Sequence, residues 1–200
     1  MENINKKFNE LIAELDQIYN LNKRPFSPNE FLELYWKFIK SNNSPKPGNI
    51  FSIKLSDEER ENIEHIIDKN RNKYYLMLHF FSLLGLNKAK ISDKIIESLM
   101  NDALKSRLSP HIVSSFCYYL TSFSEIENER YCEFFRKIID KFVKDKNYVA
   151  GDVANAAAII GCSNCVNSIK NILNSDDRNP RALLFARESL EKLEKMKKHD

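Results

Sequence analysis

Ser56-Asp57-Glu58-Glu59-Arg60-Glu61-Asn62-Ile63-Glu64-His65-Ile66-Ile67 contains a helix start and a helix face in twelve residues. Ser56 and Glu59 have the spacing of a capping box, in which each side chain satisfies the other's free backbone N–H. Ile63, Ile66 and Ile67 then recur at three- and four-residue steps, the period of an apolar stripe on an α-helix. A second stripe follows at Tyr74, Met77, Phe81 and Leu84, with Gly85 read as its C-cap. The two form a helical hairpin.

The same unit recurs along the chain. Ser92 opens a helix carrying Ile95, Ile96, Leu99, Met100 and Ala103, and Ser109-Pro110 starts its partner with Ile112, Val113, Phe116, Leu120 and Phe123. Ser124 with Glu127 is read as capping a long helix through Tyr131, Phe134, Phe135, Ile138, Ile139 and Phe142. Val153, Ala156, Ala157 and Ile160 mark the next, ended by Gly161. Ser163 opens a helix with Val166, Ile169, Ile172 and Leu173, and Asn179-Pro180 caps the last. Upstream, Ile4 to Ile18 makes one stripe, and Ser27, Pro28 and Glu30 start a second helix. This predicts ten helices in five pairs. First-helix caps at Ser56, Ser92, Ser124 and Ser163 begin successive units 36, 32 and 39 residues apart. A hairpin repeating at that period is the sequence pattern of an α-solenoid, each pair burying its face against its neighbours. An irregular helical bundle is the alternative. One domain over 1–200 is expected: an N-terminal pair (1–41), a connection with prolines and a glycine (42–55) where Phe51, Ile53 and Leu55 alternate briefly, and the repeats (56–200).

Composition narrows the function classes. The 31 Lys+Arg against 28 Asp+Glu leave a net charge of +3, too small to suggest nucleic-acid binding by itself. Four glycines and six prolines are few for an all-β or doubly wound fold. The longest nearly uncharged apolar stretch, Tyr74 to Leu86, is too short to span a bilayer, and the first residues lack a secretory pattern. A cytoplasmic location is therefore expected, with Cys117, Cys132, Cys162 and Cys165 as reduced thiols.

The last fifty residues carry a family resemblance. Asp152-Val153-Ala154-Asn155-Ala156-Ala157-Ala158-Ile159-Ile160-Gly161-Cys162 resembles the small-residue inner helix of HEAT-like repeats, and Cys165 to Leu173 the outer helix that follows. Asp177-Arg178-Asn179-Pro180 with Ala182, Leu183 and Ala186 resembles the family's Asp/Pro turn and second helix. Where the family carries an arginine three residues past the proline, this chain has Leu183, with Arg181 arriving early. The resemblance implies a right-handed α-solenoid and a scaffold that binds proteins, a minority of the family binding or modifying nucleic acid.

Motifs for chemistry are absent. There is no phosphate-binding glycine loop, no Gly-x-Ser-x-Gly and no His-x-x-x-His pair among His65, His79, His111 and His199. Cys162-Ser163-Asn164-Cys165 has zinc or redox spacing, and a helix N-terminus there would lower the Cys165 pKa. It lacks a second ligand pair and a thioredoxin-like context, however, so its cysteines read as small packing residues. No cofactor, no metal and no enzymatic activity are expected.

In a solenoid the second helices line the concave face. Their outward stripes read Glu33, Trp36, Lys40; Tyr75, His79, Ser82; His111, Ser115, Tyr118, Ser122; Tyr148, Asp152, Asn155, Ile159; and Arg181, Phe185, Glu188, Lys192. The helix from Ser109 to Phe123 has no charge at all, which opposes a groove for a phosphate backbone. Aromatic and hydroxyl side chains with few charges fit the centre of a protein interface. Trp36, Tyr75, His79, His111, Ser115, Tyr118, Ser122, Asp152 and Asn155 are the candidate partner-binding residues. In size and lack of catalytic motifs the chain is similar to bacterial immunity proteins that neutralise a cognate toxin. Facing a basic toxin needs acid, of which Asp152 and Glu33 are a thin supply, and this counts against that role. The alternative is a HEAT-like protein that binds or modifies nucleic acid.

Overall fold

The structure is a computed structural model describing residues 3–40, 53–175 and 179–196, without the side chains of 124–128. The described residues form ten α-helices and no strand, so the chain is all-α. It divides into two compact units, Met1–Ser92 and Asp93–Asp200. The boundary falls between predicted hairpins. Of the predicted extended segment, Phe51 lies outside the described residues, while Ile53 is buried in a stretch without regular structure.

The first unit holds α1 (Ile4–Asn22), α2 (Pro28–Phe38), α3 (Asp57–Lys69) and α4 (Tyr74–Leu86). Both capping boxes form as read: Ser27 with Glu30, and Ser56 with Glu59. Glu59 is buried, and besides the Ser56 N–H it accepts from Lys40 Nζ at 2.7 Å, which also donates to the Lys54 carbonyl. A buried carboxylate is tolerable only with such partners. α1 packs on α2 and α3, and α3 packs on α4. Between α2 and α4, Phe31 lies flat on His79 at 4.6 Å and edge-on to Phe80.

The second unit holds α5 (Asp93–Leu104), α6 (Pro110–Thr121), α7 (Ser124–Lys144), α8 (Val149–Ile159), α9 (Val166–Asn174) and α10 (Pro180–Met196). It is layered. α8 lies between α6 and α10, while α7 lies between α5 and α9 on the other side. Phe116, Tyr131, Phe134, Phe135, Ile138, Val153 and Ile169 fill the space between. Each such side chain contributes about 1.5–3 kcal/mol by leaving water. The small residues of α8 are nearly all buried because three helices crowd it. Gly151 is where α10 comes closest: a Cβ there would stand 2.6 Å from the Ala182 Cα.

Three predicted boundaries move. Gly85 lies inside α4, whose last residue is Leu86, with Asn87 as C-cap and Lys88 in the left-handed conformation after it. α7 begins at Ser124 with Phe123 as N-cap, so Ser124 is its first helical residue rather than its cap. Ser163–Cys165 forms a 3-10 turn, and α9 starts at Val166. The first shift has a clear cause. Lys88 (φ 48°), Ser106 (57°), Lys146 (52°) and Gly161 (76°) all take the left-handed conformation that closes a helix. In each case the next N–H reaches back five residues, as Ala89 does to Leu84 and Cys162 to Ala157. A side chain in this conformation costs about 1–2 kcal/mol, partly offset because glycine loses more entropy on folding. Ser106→Gly and Lys146→Gly are therefore each expected to stabilise the second unit by about 0.5–1 kcal/mol in urea unfolding.

Candidate functional site

The structure brings some of the predicted binding residues together and buries others. In the first unit, Tyr75 and His79 are interior residues rather than surface ones. The Tyr75 hydroxyl donates to Asp16 Oδ1 at 2.6 Å, and its ring stacks on Tyr19. His79 is 2% exposed against Phe31, and burial pulls its pKa down to about 4 against a raising contact with the Phe26 backbone. Trp36 is half-buried on α2.

In the second unit the outward stripes of α6, α8 and α10 meet as three cross-helix pairs. The Tyr148 hydroxyl and His111 Nε2 lie 3.1 Å apart at the start of α8 and α6. Asn155 Nδ2 donates to the Tyr118 hydroxyl at 2.9 Å, joining the middles of α8 and α6. Arg181 Nη2 donates to Asp152 Oδ1 at 3.0 Å, joining α10 to α8. Asp152 is 6% exposed. The Arg181 side chain lies above it, 64% exposed, with its guanidinium 5.2 Å from the centre of the Phe185 ring. Asp152 and Asn155, three residues apart on one face of α8, tie the pairs to each other. Burial raises the Tyr118 pKa, the charges of both Asp152 and Arg181 being felt at its hydroxyl. The phenol therefore stays protonated and able to donate. Ser115 donates to the His111 carbonyl within α6, and Ser122 is half-buried at its end. Arg181, Tyr148 and Phe185 belong to the cluster although only the stripe reading, not the choice of site residues, included them. Their signal was position on the stripe; nothing local marked Arg181 as the partner of an acid 29 residues away.

The cysteines differ from expectation. Cys132 and Cys162 form a disulfide between α7 and the turn after α8, so the pair with two residues between, Cys162 and Cys165, is not the bonded one, and four reduced thiols are not what the chain holds. Cys117 and Cys165 are free and buried. Burial pushes the Cys165 thiol up to about 12, overriding any helix N-terminal effect, and raises Cys117 as well. Both are held as unreactive thiols. Thiol titration in denaturant is expected to find two free thiols before reduction and four after it. Four at the outset would contradict the pairing.

Among the described residues no group of three or more His, Cys, Asp and Glu is placed to hold a metal ion, and no helix is long and apolar enough to cross a membrane. The cluster on α6, α8 and α10 supplies hydrogen-bond donors, acceptors and aromatic faces, which is the chemistry of recognition. Comparison with protein-family models, with curated proteins and with solved structures gives no match.

Proposed function

We propose that this chain is a protein-binding module, a short HEAT-like array that takes its partner on the surface formed by α6, α8 and α10. One observation carries the reading: three adjacent second helices contribute paired polar and aromatic side chains, His111–Tyr148, Tyr118–Asn155 and Asp152–Arg181, to one surface. Pairing across helices holds these groups in place before a partner arrives, which lowers the ordering cost of binding. Tyrosine, arginine and phenylalanine are among the residue types enriched at interface centres. A phosphate backbone is a poor fit, because tracking phosphates takes a line of cations, which the three pairs do not form.

The test is affinity capture with the full chain and with the double variant Tyr118→Ala/Asn155→Ala, followed by binding with the captured protein once purified. A partner retained by the native chain and lost by the variant, at an unchanged melting temperature, supports the reading. Equal capture by both contradicts it.

A further inference from the structure

We infer that the partner presents acid to this surface, and that the Arg181 guanidinium receives one of its carboxylates. The inference rests on the binding surface proposed above and adds the sign of the charge it meets. In the Asp152–Arg181 pair the two charges are not equally accessible. Asp152 is 6% exposed and lies under the arginine, whereas the Arg181 side chain is 64% exposed. What an approaching molecule meets is the guanidinium.

Arg181 is also held ready. Asp152 takes one Nη2 N–H at 3.0 Å, and the Phe185 ring supports the guanidinium at 5.2 Å. An arginine fixed on one side by a carboxylate and a ring loses little further freedom when a second carboxylate binds its outer edge. Tyr118 adds a donor. Its oxygen already accepts from Asn155 Nδ2, so its own proton is the one left to give. The nearest negative charge further along the α10 stripe is Glu188, seven residues on and about 10 Å along the axis, roughly one Debye length away in physiological salt.

A basic partner fits less well. To reach Asp152, a lysine or arginine must displace Arg181 from a nearly buried carboxylate, giving up one charge-assisted hydrogen bond to make another. The pair therefore turns its cation outward, which does not suit an inhibitor of a basic toxin.

The experiment is selection of peptides from a random phage-displayed library by the immobilised full chain. Selected peptides are expected to be enriched in Asp and Glu and to bind Arg181→Gln about 10- to 100-fold more weakly, the range of a hydrogen bond between charged groups. Arg181→Glu, checked for folding by circular dichroism, is expected to turn the selection toward Lys and Arg. Peptides enriched in Lys and Arg on the native chain, or acidic peptides indifferent to Arg181→Gln, overturn the inference. If those same peptides are weakened by Tyr118→Ala or Asn155→Ala, the binding surface survives and only its charge sense is wrong. A library yielding no binder, or binders indifferent to all three positions, overturns both.

Discussion

Gly151→Val is expected to destabilise the second unit by about 3 kcal/mol or more, lowering the melting temperature by about 6–12 °C for a chain of this size. A Cβ at 151 meets the Ala182 Cα at 2.6 Å, its carbonyl oxygen at 2.9 Å and its carbonyl carbon at 3.2 Å. These are backbone atoms, so no rotamer change relieves the contact and α10 itself must move. Replacing a mid-helix glycine by alanine ordinarily gains up to about 1 kcal/mol of helix propensity. Here the overlap, worth about 1–3 kcal/mol and more for a branched side chain, is the larger effect, and Gly151→Ala is expected to lose about 1–2 kcal/mol net. Ala182→Gly removes a methyl that is not among the clashing atoms and is expected not to rescue either variant. The contact also bears on function, because Arg181 is the neighbour of Ala182 and Asp152 the neighbour of Gly151. Displacing α10 pulls that pair apart. A Gly151→Val protein as stable as the native one would contradict the described packing of α8 on α10.

The second large effect is a loss of stability of about 2–3 kcal/mol as pH falls from 6.5 to 4, traced to His79. Burial lowers its folded pKa to about 4, from 6.5 in the unfolded chain. Between these values the unfolded state binds the extra proton, so stability rises with pH through the window. The contribution is fully present above 6.5 and disappears as pH falls through 4. His79 Nε2 has no hydrogen-bond partner and its ring lies against Phe31 and Phe26, so the cost of burying an imidazolium outweighs the favourable Phe26 backbone contact and the Glu30 charge. The exposed carboxylates Glu30 and Glu133, held down to about 2 by their arginine hydrogen bonds, lose their contributions only between about 4.5 and 2. Urea unfolding across the upper window separates the two. His79→Phe is expected to flatten the curve between pH 6.5 and 4 and to leave the lower part unchanged. An unaltered slope in the variant would contradict the assignment.

How much of this was legible depended on whether the determining chemistry was local. Ser27 with Glu30, Ser56 with Glu59, Ser109 before Pro110 and Asn179 before Pro180 all start helices where they were read, because a cap is a contact within four residues. Helix ends were less legible, because three of the four left-handed closing residues after α4, α5, α7 and α8 are lysine or serine rather than glycine. The stripe of α6 and α8 was readable to the extent that Asn155 bonds to Tyr118 and the charge of Asp152 is felt at the Tyr118 hydroxyl. On α4, Tyr75 and His79 are interior residues rather than surface ones. That helix is apolar almost all round, so its sequence does not indicate which side faces water. Asp152 was placed on the right helix face but at the wrong depth. Its burial comes from helices packed on α8, among them α10, which also brings its partner Arg181 to it.

The direct test of the account is calorimetric titration of the partner, once isolated, against three forms of the full chain: native, Tyr118→Ala/Asn155→Ala on α6 and α8, and Lys137→Ala/Lys141→Ala on α7. Binding is expected to weaken at least about 10-fold with the first pair of substitutions and to stay unchanged with the second. Binding that survives the first pair and is lost with the second would place recognition on the opposite layer and contradict it.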